Sequence, residues 1–240
     1  MGWEYRYFVP LPDDRAALLR RSIGGQLRED VYFPCSATVG VKVRNGDLEE
    51  LEVKTMVESQ ALQGDAGNVE KWKKVSLRGH VTDGGDAGPR LSSAAALAHQ
   101  LGGAEQDLWA AFEGSCPALR VFLLKDRTRT AFGEVTDILL RAFGDGHEQA
   151  VLEETYCTYC MEIGNPTKVQ QRLADDAALR PPAGAFLGGY PALVVEFTKR
   201  ALAALAGAQG QPVQPAPLPR EATSSASADG SHELGSPQVD

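Results

Sequence analysis

The chain has 240 residues, a formal net charge of −8, and apolar and charged fractions of 43% and 23%. Such values are typical of a folded protein with a substantial core. The negative charge argues against general electrostatic binding to nucleic acid or to an anionic membrane. No apolar run is long enough to span a bilayer, and the N-terminus, Met1-Gly2-Trp3-Glu4, lacks the basic and apolar regions of a signal peptide. We therefore expect a cytoplasmic protein without a nucleic-acid or membrane partner.

The first third of the chain predicts four β-strands. Residues 3–9, 27–33, 38–44 and 48–57 alternate charged and apolar side chains with period two, as on a strand with one polar face. A break at residues 10–14 precedes a predicted helix over residues 15–22, with an acidic residue as its cap. Asn45-Gly46-Asp47 predicts a hairpin turn between the third and fourth strands.

The polar faces of these strands carry charged side chains two residues apart. The pairs are Glu4 with Arg6, Arg28 with Asp30, Lys42 with Arg44, and Glu52 with Lys54. A face that places cations beside carboxylates suits a polyanion together with a divalent metal. The alternative interpretation is a solvated sheet face that cross-strand ion pairs stabilise.

The rest of the chain predicts further strands and several helices. A loop at residues 60–68 leads to a strand at 69–77, a glycine-rich stretch at 82–89 and two helices at 91–101 and 105–112. Strands follow at 118–125 and 128–140, separated by a turn at Asp126-Arg127, and a last strand at 150–163 follows a turn at 144–146. Asn165-Pro166-Thr167 predicts the start of a helix to residue 179, and residues 191–205 predict an amphipathic helix.

These elements predict an α+β fold in which about eight strands form one antiparallel sheet. Alternation on most strands favours antiparallel over parallel pairing, and the sheet either closes into a barrel or stays open and curved. We assign residues 1–206 to one domain. From about residue 206 the chain is rich in Gln, Pro, Ser, Ala, Gly and Asp, so residues 207–240 predict a disordered tail, a segment available to a protein partner.

Four cysteines in a chain of this length do not indicate a disulfide framework. Cys157 and Cys160 are three residues apart in a predicted strand, so their side chains point to opposite faces. No second cysteine pair or suitably spaced histidine completes a zinc site. We interpret the cysteines as buried structural thiols.

The order of the charged motifs resembles that of the CYTH superfamily, the triphosphate tunnel metalloenzymes. This superfamily includes thiamine triphosphatases, inorganic triphosphatases and class IV adenylyl cyclases. The resemblance covers roughly residues 1–205 and rests on Glu4-x-Arg6, Arg28-x-Asp30-x-Tyr32-Phe33, Val39-Gly40-x-Lys42-x-Arg44, Leu51-Glu52-x-Lys54, Lys125-x-Arg127 and a late carboxylate strand. It implies an antiparallel eight-stranded tunnel in which Lys, Arg and Glu line the bore. It also implies that Mg²⁺ or Mn²⁺ assists attack on a bound triphosphate.

The resemblance also implies roles for individual residues. Arg6 and Lys54 would be catalytic, and the phosphate contacts would be Arg6, Lys42, Arg44, Lys54, Lys125 and Arg127. The metal-side carboxylates would be Glu4, Glu52, Glu162 and either Glu134 or Asp137. The chain departs from the family signature at Gly2, where the family has its first Glu, and at Arg6, where the family has Lys.

We therefore expect metal-dependent hydrolysis of inorganic triphosphate or of an organic triphosphate compound. Gly2 removes one carboxylate from the signature, which keeps open a non-catalytic protein that binds a phosphorylated ligand in the same cavity. An interaction scaffold is a third interpretation, in which the polar face of the sheet is solvated. These three interpretations differ in where the charged side chains lie, either inside a concave bore or over a convex face.

Overall fold

The computed structural model describes residues 2–21, 27–44, 50–64, 66–78, 81–82, 90–91, 119–131, 133–144 and 149–209. The strands are β1 Trp3–Pro10, β2 Arg28–Ser36, β3 Val39–Arg44, β4 Glu50–Ala61, β5 Asn68–Arg78, β6 Val81–Thr82, β7 Arg90–Leu91, β8 Leu119–Thr130, β9 Gly133–Gly144, β10 Leu152–Ile163 and β11 Phe186–Leu187. The helices are α1 Asp13–Arg21, α2 Pro166–Asp175 and α3 Tyr190–Gln209, with a 3₁₀ turn at Ala177–Leu179.

Eight long strands form a closed antiparallel barrel. The strand order is β10-β9-β8-β2-β3-β4-β5-β1, and β1 pairs back with β10 along its whole length, from Trp3 opposite Ile163 to Pro10 opposite Tyr156. The short strand β11 adds to the free part of the other edge of β1, while β6 and β7 pair only with each other. The predicted α+β fold with an eight-stranded antiparallel barrel is confirmed, and the open, curved sheet is not formed.

The predicted turn at Asp126-Arg127 is wrong. Strand β8 continues through both residues, which pair with Asp137 and Thr136 of β9, and the chain reverses between Thr130 and Gly133. Asp126 and Arg127 lie on the exposed end of this strand, where polar side chains are compatible with an extended backbone. The polar run therefore marks an exposed hairpin end and not a break in the strand.

Other boundaries differ less, and some predictions fall on residues that the structure does not describe. Strand β4 runs four residues past its predicted end and contains a bulge between Met56 and Glu58. Several predicted elements lie outside the described residues. They are the turn at 45–47, the helix at 91–101 except Leu91, which belongs to β7, the helix at 105–112, residues 145–146 of a predicted turn, and the tail from residue 210. Helix α3 continues to Gln209, four residues beyond its predicted end. In the described part of the chain, no helix has both the length and the apolar character needed to cross a bilayer.

Two helices cover the outer face of the barrel. Helix α1 packs Ala16 and Leu19 against Leu124 and Leu139. The two acidic residues in its first turn interact favourably with the positive end of the helix dipole. Helix α2 begins after Asn165, whose side chain accepts a 2.8 Å hydrogen bond from the Thr167 amide. Its Val169 and Leu173 pack against Tyr5 and Met161. The strand side chains that these two helices cover point outward, and the residues next to them along each strand point into the bore.

Helix α3 covers part of the inner face of the barrel. The apolar side chains of its first three turns pack against inward-facing residues of four strands, in a cluster that contains Phe8, Tyr32, Val121, Leu123, Ile138, Leu140, Tyr190, Leu193, Val194 and Phe197. The helix approaches β3 closely because position 40 is glycine, where a Cβ atom would lie 2.7 Å from Cγ of Pro191. The predicted amphipathic helix is therefore confirmed, and its apolar stripe fills the apolar half of the bore.

Candidate functional site

A cavity of about 330 Å³ lies in the other half of the bore, and each of the eight barrel strands contributes a side chain to its wall. The charged wall residues are the cations Arg6, Arg28, Lys42, Arg44, Lys54, Lys74, Lys125 and Arg127 and the carboxylates Glu4, Glu52, Glu134 and Glu162. All ten residues that the sequence predicted for the site are among them. The wall thus has twice as many cations as carboxylates, although the chain as a whole has a net charge of −8.

The sequence left Glu134 and Asp137 as alternative carboxylates for the site, and the two faces of β9 distinguish them. Glu134 lines the cavity, and its Oε2 lies 3.1 Å from Nε of Arg127. Asp137 is three residues further along and faces outward, where it accepts hydrogen bonds from the guanidinium of Arg15 on α1. Asp137 therefore ties a helix to the barrel, and Glu134 is the carboxylate in the bore.

Asp30 organises one group of cations, and the sequence did not assign it to the site. Its side chain is fully buried, and Oδ2 lies 2.9 Å from Nζ of Lys42, 2.5 Å from Nζ of Lys125 and 3.0 Å from Nη2 of Arg28. Burial alone would raise the pKa of Asp30, but Lys125, Lys42 and Arg28 outweigh it and hold that pKa well below its ordinary value. Asp30 is thus an anion at neutral pH, and it fixes three cations in the wall.

Glu52 organises a second group of cations. Its oxygens lie 3.2 Å from Nζ of Lys42, 2.6 Å from Nη2 of Arg44 and 2.7 Å from Nζ of Lys74. Burial alone would raise the pKa of Glu52, but these cations lower it. The predicted metal ligand therefore lies among cations, and a metal role for Glu52 stays a prediction.

A third group brings carboxylates together at the seam between β1 and β10. Glu4 and Glu162 are direct partners across this seam, and one oxygen of each and Sγ of Cys160 all lie within 4.8 Å of one another. Lys54 contacts Glu4, with Nζ 2.5 Å from Oε1, and Nη2 of Arg6 lies 3.9 Å from Oε2 of the same carboxylate. Mg²⁺ is commonly held by one or two carboxylates, with waters and phosphate oxygens completing its shell. The donor set of Glu4 and Glu162 fits such an ion.

Cys160 lies in this group, whereas Cys157 lies on the outer face near Arg15 and Asp137. The predicted opposite orientation of the two thiols is confirmed, and Cys35, Cys157 and Cys160 form no disulfide bond. Cys160 is buried as predicted, whereas the predicted burial of Cys35 and Cys157 is wrong, because both are partly exposed. Burial raises the pKa of Cys160 to about 11, with Arg6 opposing the rise and Glu4 adding to it. The alternation of β10 predicted the orientation of Cys160 but not its position near two carboxylates.

Tyr190, the first residue of α3, forms the floor of the cavity between two cations. The guanidinium carbon of Arg6 lies 4.5 Å from the centroid of its ring, and Nζ of Lys125 lies 4.0 Å from it. Among the described residues, neither the buried hydroxyl of Tyr190 nor Nε of Arg6 has a hydrogen-bond partner. Burial raises the pKa of Tyr190 to about 12, so the hydroxyl remains a donor at neutral pH. Two unsatisfied donors and the positive end of a long helix thus meet at the cavity floor.

The fold and the site together define a closed antiparallel β-barrel with a predominantly cationic bore. No protein-family model and no curated protein matches the chain. Among solved structures, a chain of the Schizosaccharomyces pombe Mediator head module is 8% identical with a TM-score of 0.35, over 75% of this chain and 96% of that one. A candidate adenylate cyclase from Bacillus halodurans is 13% identical with a TM-score of 0.31, over 76% of this chain and 95% of that one. At these TM-scores the similarities carry no argument about function.

Proposed function

We propose that the charged half of the bore binds the triphosphate group of a small molecule, or inorganic triphosphate, and that the protein hydrolyses it with a divalent metal. The observation that carries this proposal is the convergence of eight cations and four carboxylates on one cavity. An interaction scaffold with a solvated polar face would instead present these side chains on the outer surface. A cavity of about 330 Å³ falls in the usual size range of small-molecule sites.

The cations have the properties needed to bind and orient a polyphosphate chain. Lys54 and Arg44 are only partly buried and Lys74 is exposed, so phosphate oxygens can replace the carboxylates that they now contact. Fixed cations of this kind stabilise the charge that develops on the leaving phosphate. Glu4 and Glu162 would hold Mg²⁺ or Mn²⁺, and the ion would supply Lewis-acid chemistry toward the phosphate and the attacking water. The resemblance of the charged motifs to the CYTH superfamily supports the same assignment.

One observation favours a second candidate function, a non-catalytic protein that binds a phosphorylated ligand. Gly2 stands where the family has its first carboxylate. It is exposed, and a Cβ atom added at this position would have only the Ile163 carbonyl oxygen within 4 Å. Glu4 and Glu134 are already paired with Lys54 and Arg127. A polyphosphate that stabilises the protein without being hydrolysed would identify this function.

Two adjacent lysines on β5 allow a matched test of binding. Lys74 lines the cavity opposite Lys54, whereas Lys73 is exposed on the other face of the same strand. We expect inorganic triphosphate to raise the melting temperature of the wild type and of Lys73→Ala to the same degree, and that of Lys74→Ala less. Equal shifts in both variants, or no shift in the wild type, would contradict binding in the bore. Phosphate release with and without a metal chelator then separates the enzyme from the binding protein.

A further inference from the structure

We propose that Cys160 joins Glu4 and Glu162 in a three-ligand metal site that prefers a thiophilic divalent ion, such as Zn²⁺ or Co²⁺, over Mg²⁺. This inference rests on the proposed function in one respect only, which is that both use the same wall of the bore. Metal binding at this site requires no phosphate. It gives Cys160 a role that the sequence did not assign. It also makes the metal preference of the site testable without a substrate.

The three ligands come from two paired strands and share one face. Glu4 and Glu162 are register partners, and Cys160 precedes Glu162 by two residues, so its side chain points to the same side of β10. In a tetrahedral site, bonds of about 2.3 Å to sulfur and about 2.1 Å to oxygen place a sulfur and an oxygen ligand about 3.6 Å apart. The three atoms lie within 4.8 Å of one another. Shifts of about 1 Å in the Glu4 and Glu162 carboxylates are therefore enough to bring the three atoms to one ion.

The charges around this group also suit a bound divalent ion. Cys160 loses its thiol proton to solvent as the sulfur–metal bond forms, which gives the group two carboxylates and one thiolate. Arg6 is the register partner of Cys160 across the β1–β10 seam and is 7% exposed. Its buried Nε has no hydrogen-bond partner among the described residues. One divalent ion and the Arg6 guanidinium together balance the three negative charges. Lys54 keeps its contact with one oxygen of Glu4.

The sulfur ligand determines which ion is preferred. Thiolates favour Zn²⁺ and related ions, whereas Mg²⁺ favours carboxylates, water and phosphate oxygens. Cys160 is 1% exposed, and its Sγ lies within 4.8 Å of an oxygen of Glu4, which lines the cavity, so an ion that Glu4 binds is close to the sulfur. Zn²⁺ is therefore expected to bind the free protein more tightly than Mg²⁺, which gains more from water and phosphate oxygens than from a thiolate.

The test is a titration of the full chain with Co²⁺ in buffer without phosphate compounds, followed by absorption spectroscopy. We expect a thiolate-to-cobalt charge-transfer band in the near ultraviolet that saturates at one equivalent. Zn²⁺ should abolish the band at stoichiometric amounts, and a large excess of Mg²⁺ should not. Cys160→Ser should lose the band, and Cys157→Ser, altered on the outer face of the same strand, should retain it.

A second variant keeps the test informative if Cys160→Ser does not fold. Glu162 is exposed, and Glu162→Gln should keep the charge-transfer band while weakening Co²⁺ binding by about tenfold or more. The inference is overturned if the wild type shows no thiolate band, if the band persists in Cys160→Ser, or if Glu162→Gln binds Co²⁺ as tightly as the wild type. A band in a protein that neither binds nor hydrolyses triphosphate would overturn only the proposed function.

Discussion

Lys54 and Glu4 contact each other across the bore, with Nζ of the lysine 2.5 Å from Oε1 of the glutamate. Their strands, β4 and β1, are separated in the sheet by β5, so the contact is made by side chains inside the barrel. It joins the lysine expected to bind phosphate to a carboxylate expected to hold the metal. A polyphosphate and a divalent ion that enter together would satisfy both partners, with the phosphate oxygens at Lys54 and the ion at Glu4.

Glu4→Gln should therefore affect binding and hydrolysis in opposite directions. Without metal, the substitution frees Lys54 and should raise the affinity for inorganic triphosphate by about threefold to tenfold. With Mg²⁺ or Mn²⁺, loss of the carboxylate should lower the rate of phosphate release by at least about tenfold. Isothermal titration calorimetry with a chelator measures the first effect, and a phosphate-release assay measures the second. Weaker binding without metal would show that Glu4 does not compete with the ligand for Lys54.

Tyr190→Phe should weaken ligand binding without weakening the fold. The ring that lies between Arg6 and Lys125 is kept, and only the buried hydroxyl, which has no partner among the described residues, is removed. If this hydroxyl donates to a phosphate oxygen, the dissociation constant for inorganic triphosphate should rise about threefold to tenfold. The melting temperature without ligand should stay the same or rise, because an unsatisfied buried polar group is lost. An unchanged dissociation constant would exclude the hydroxyl from the binding site.

Asp30→Asn should destabilise the protein at neutral pH and much less in acid. Replacing the carboxylate leaves Lys125 buried without its anion and Lys42 with Glu52 alone, a change that costs about 3–5 kcal/mol for a buried pair. Because the folded state lowers the pKa of Asp30, the stabilisation is complete above the ordinary carboxyl pKa and is lost as pH falls toward the lowered value. Urea unfolding should show a difference between wild type and variant that shrinks below about pH 4. A constant difference from neutral to acidic pH would contradict this account.

Glu70→Gln should stabilise the protein at neutral pH. Glu70 is buried beside Trp72, whose indole nitrogen donates a 3.2 Å hydrogen bond to it, and burial followed by repulsion from Glu4 raises its pKa. Because the folded state raises this carboxyl pKa, wild-type stability falls as pH rises from the ordinary value through the raised one. Glutamine keeps an acceptor for Trp72 without the charge, so the gain should vanish at low pH. Thermal unfolding at neutral and acidic pH measures the change, and destabilisation at neutral pH would contradict it.

The predicted site residues line the cavity because their position follows from strand alternation. Glu4 and Arg6, two residues apart, point into the barrel, while Tyr5 between them packs under α2. The same rule explains why Glu134 lines the cavity and Asp137 does not. Period two fixes the face of a residue once the strand is identified, and a closed barrel turns one face of every strand inward.

The residues that sequence missed depend on contacts between distant parts of the chain. Asp30 and Lys125 are 95 positions apart and meet because β2 pairs with β8, which no local pattern indicates. Tyr190 enters the cavity because of how α3 docks on the inner face, and an amphipathic stripe does not specify which end of a helix reaches a site. The mistaken turn at Asp126-Arg127 has a related cause, since polarity there reflects the exposed end of the barrel.

The most direct test of the proposed function is phosphate release from inorganic triphosphate, ATP and thiamine triphosphate with Mg²⁺ and then Mn²⁺, comparing wild type with Lys54→Ala. Lys54 lines the cavity and contacts the carboxylate at the proposed metal position, so its loss should remove both a phosphate contact and an orienting partner. We predict metal-dependent turnover of at least one of these compounds by the wild type and its loss in Lys54→Ala. Absence of release from every compound with either metal, or equal rates in the two proteins, would contradict hydrolysis in the bore.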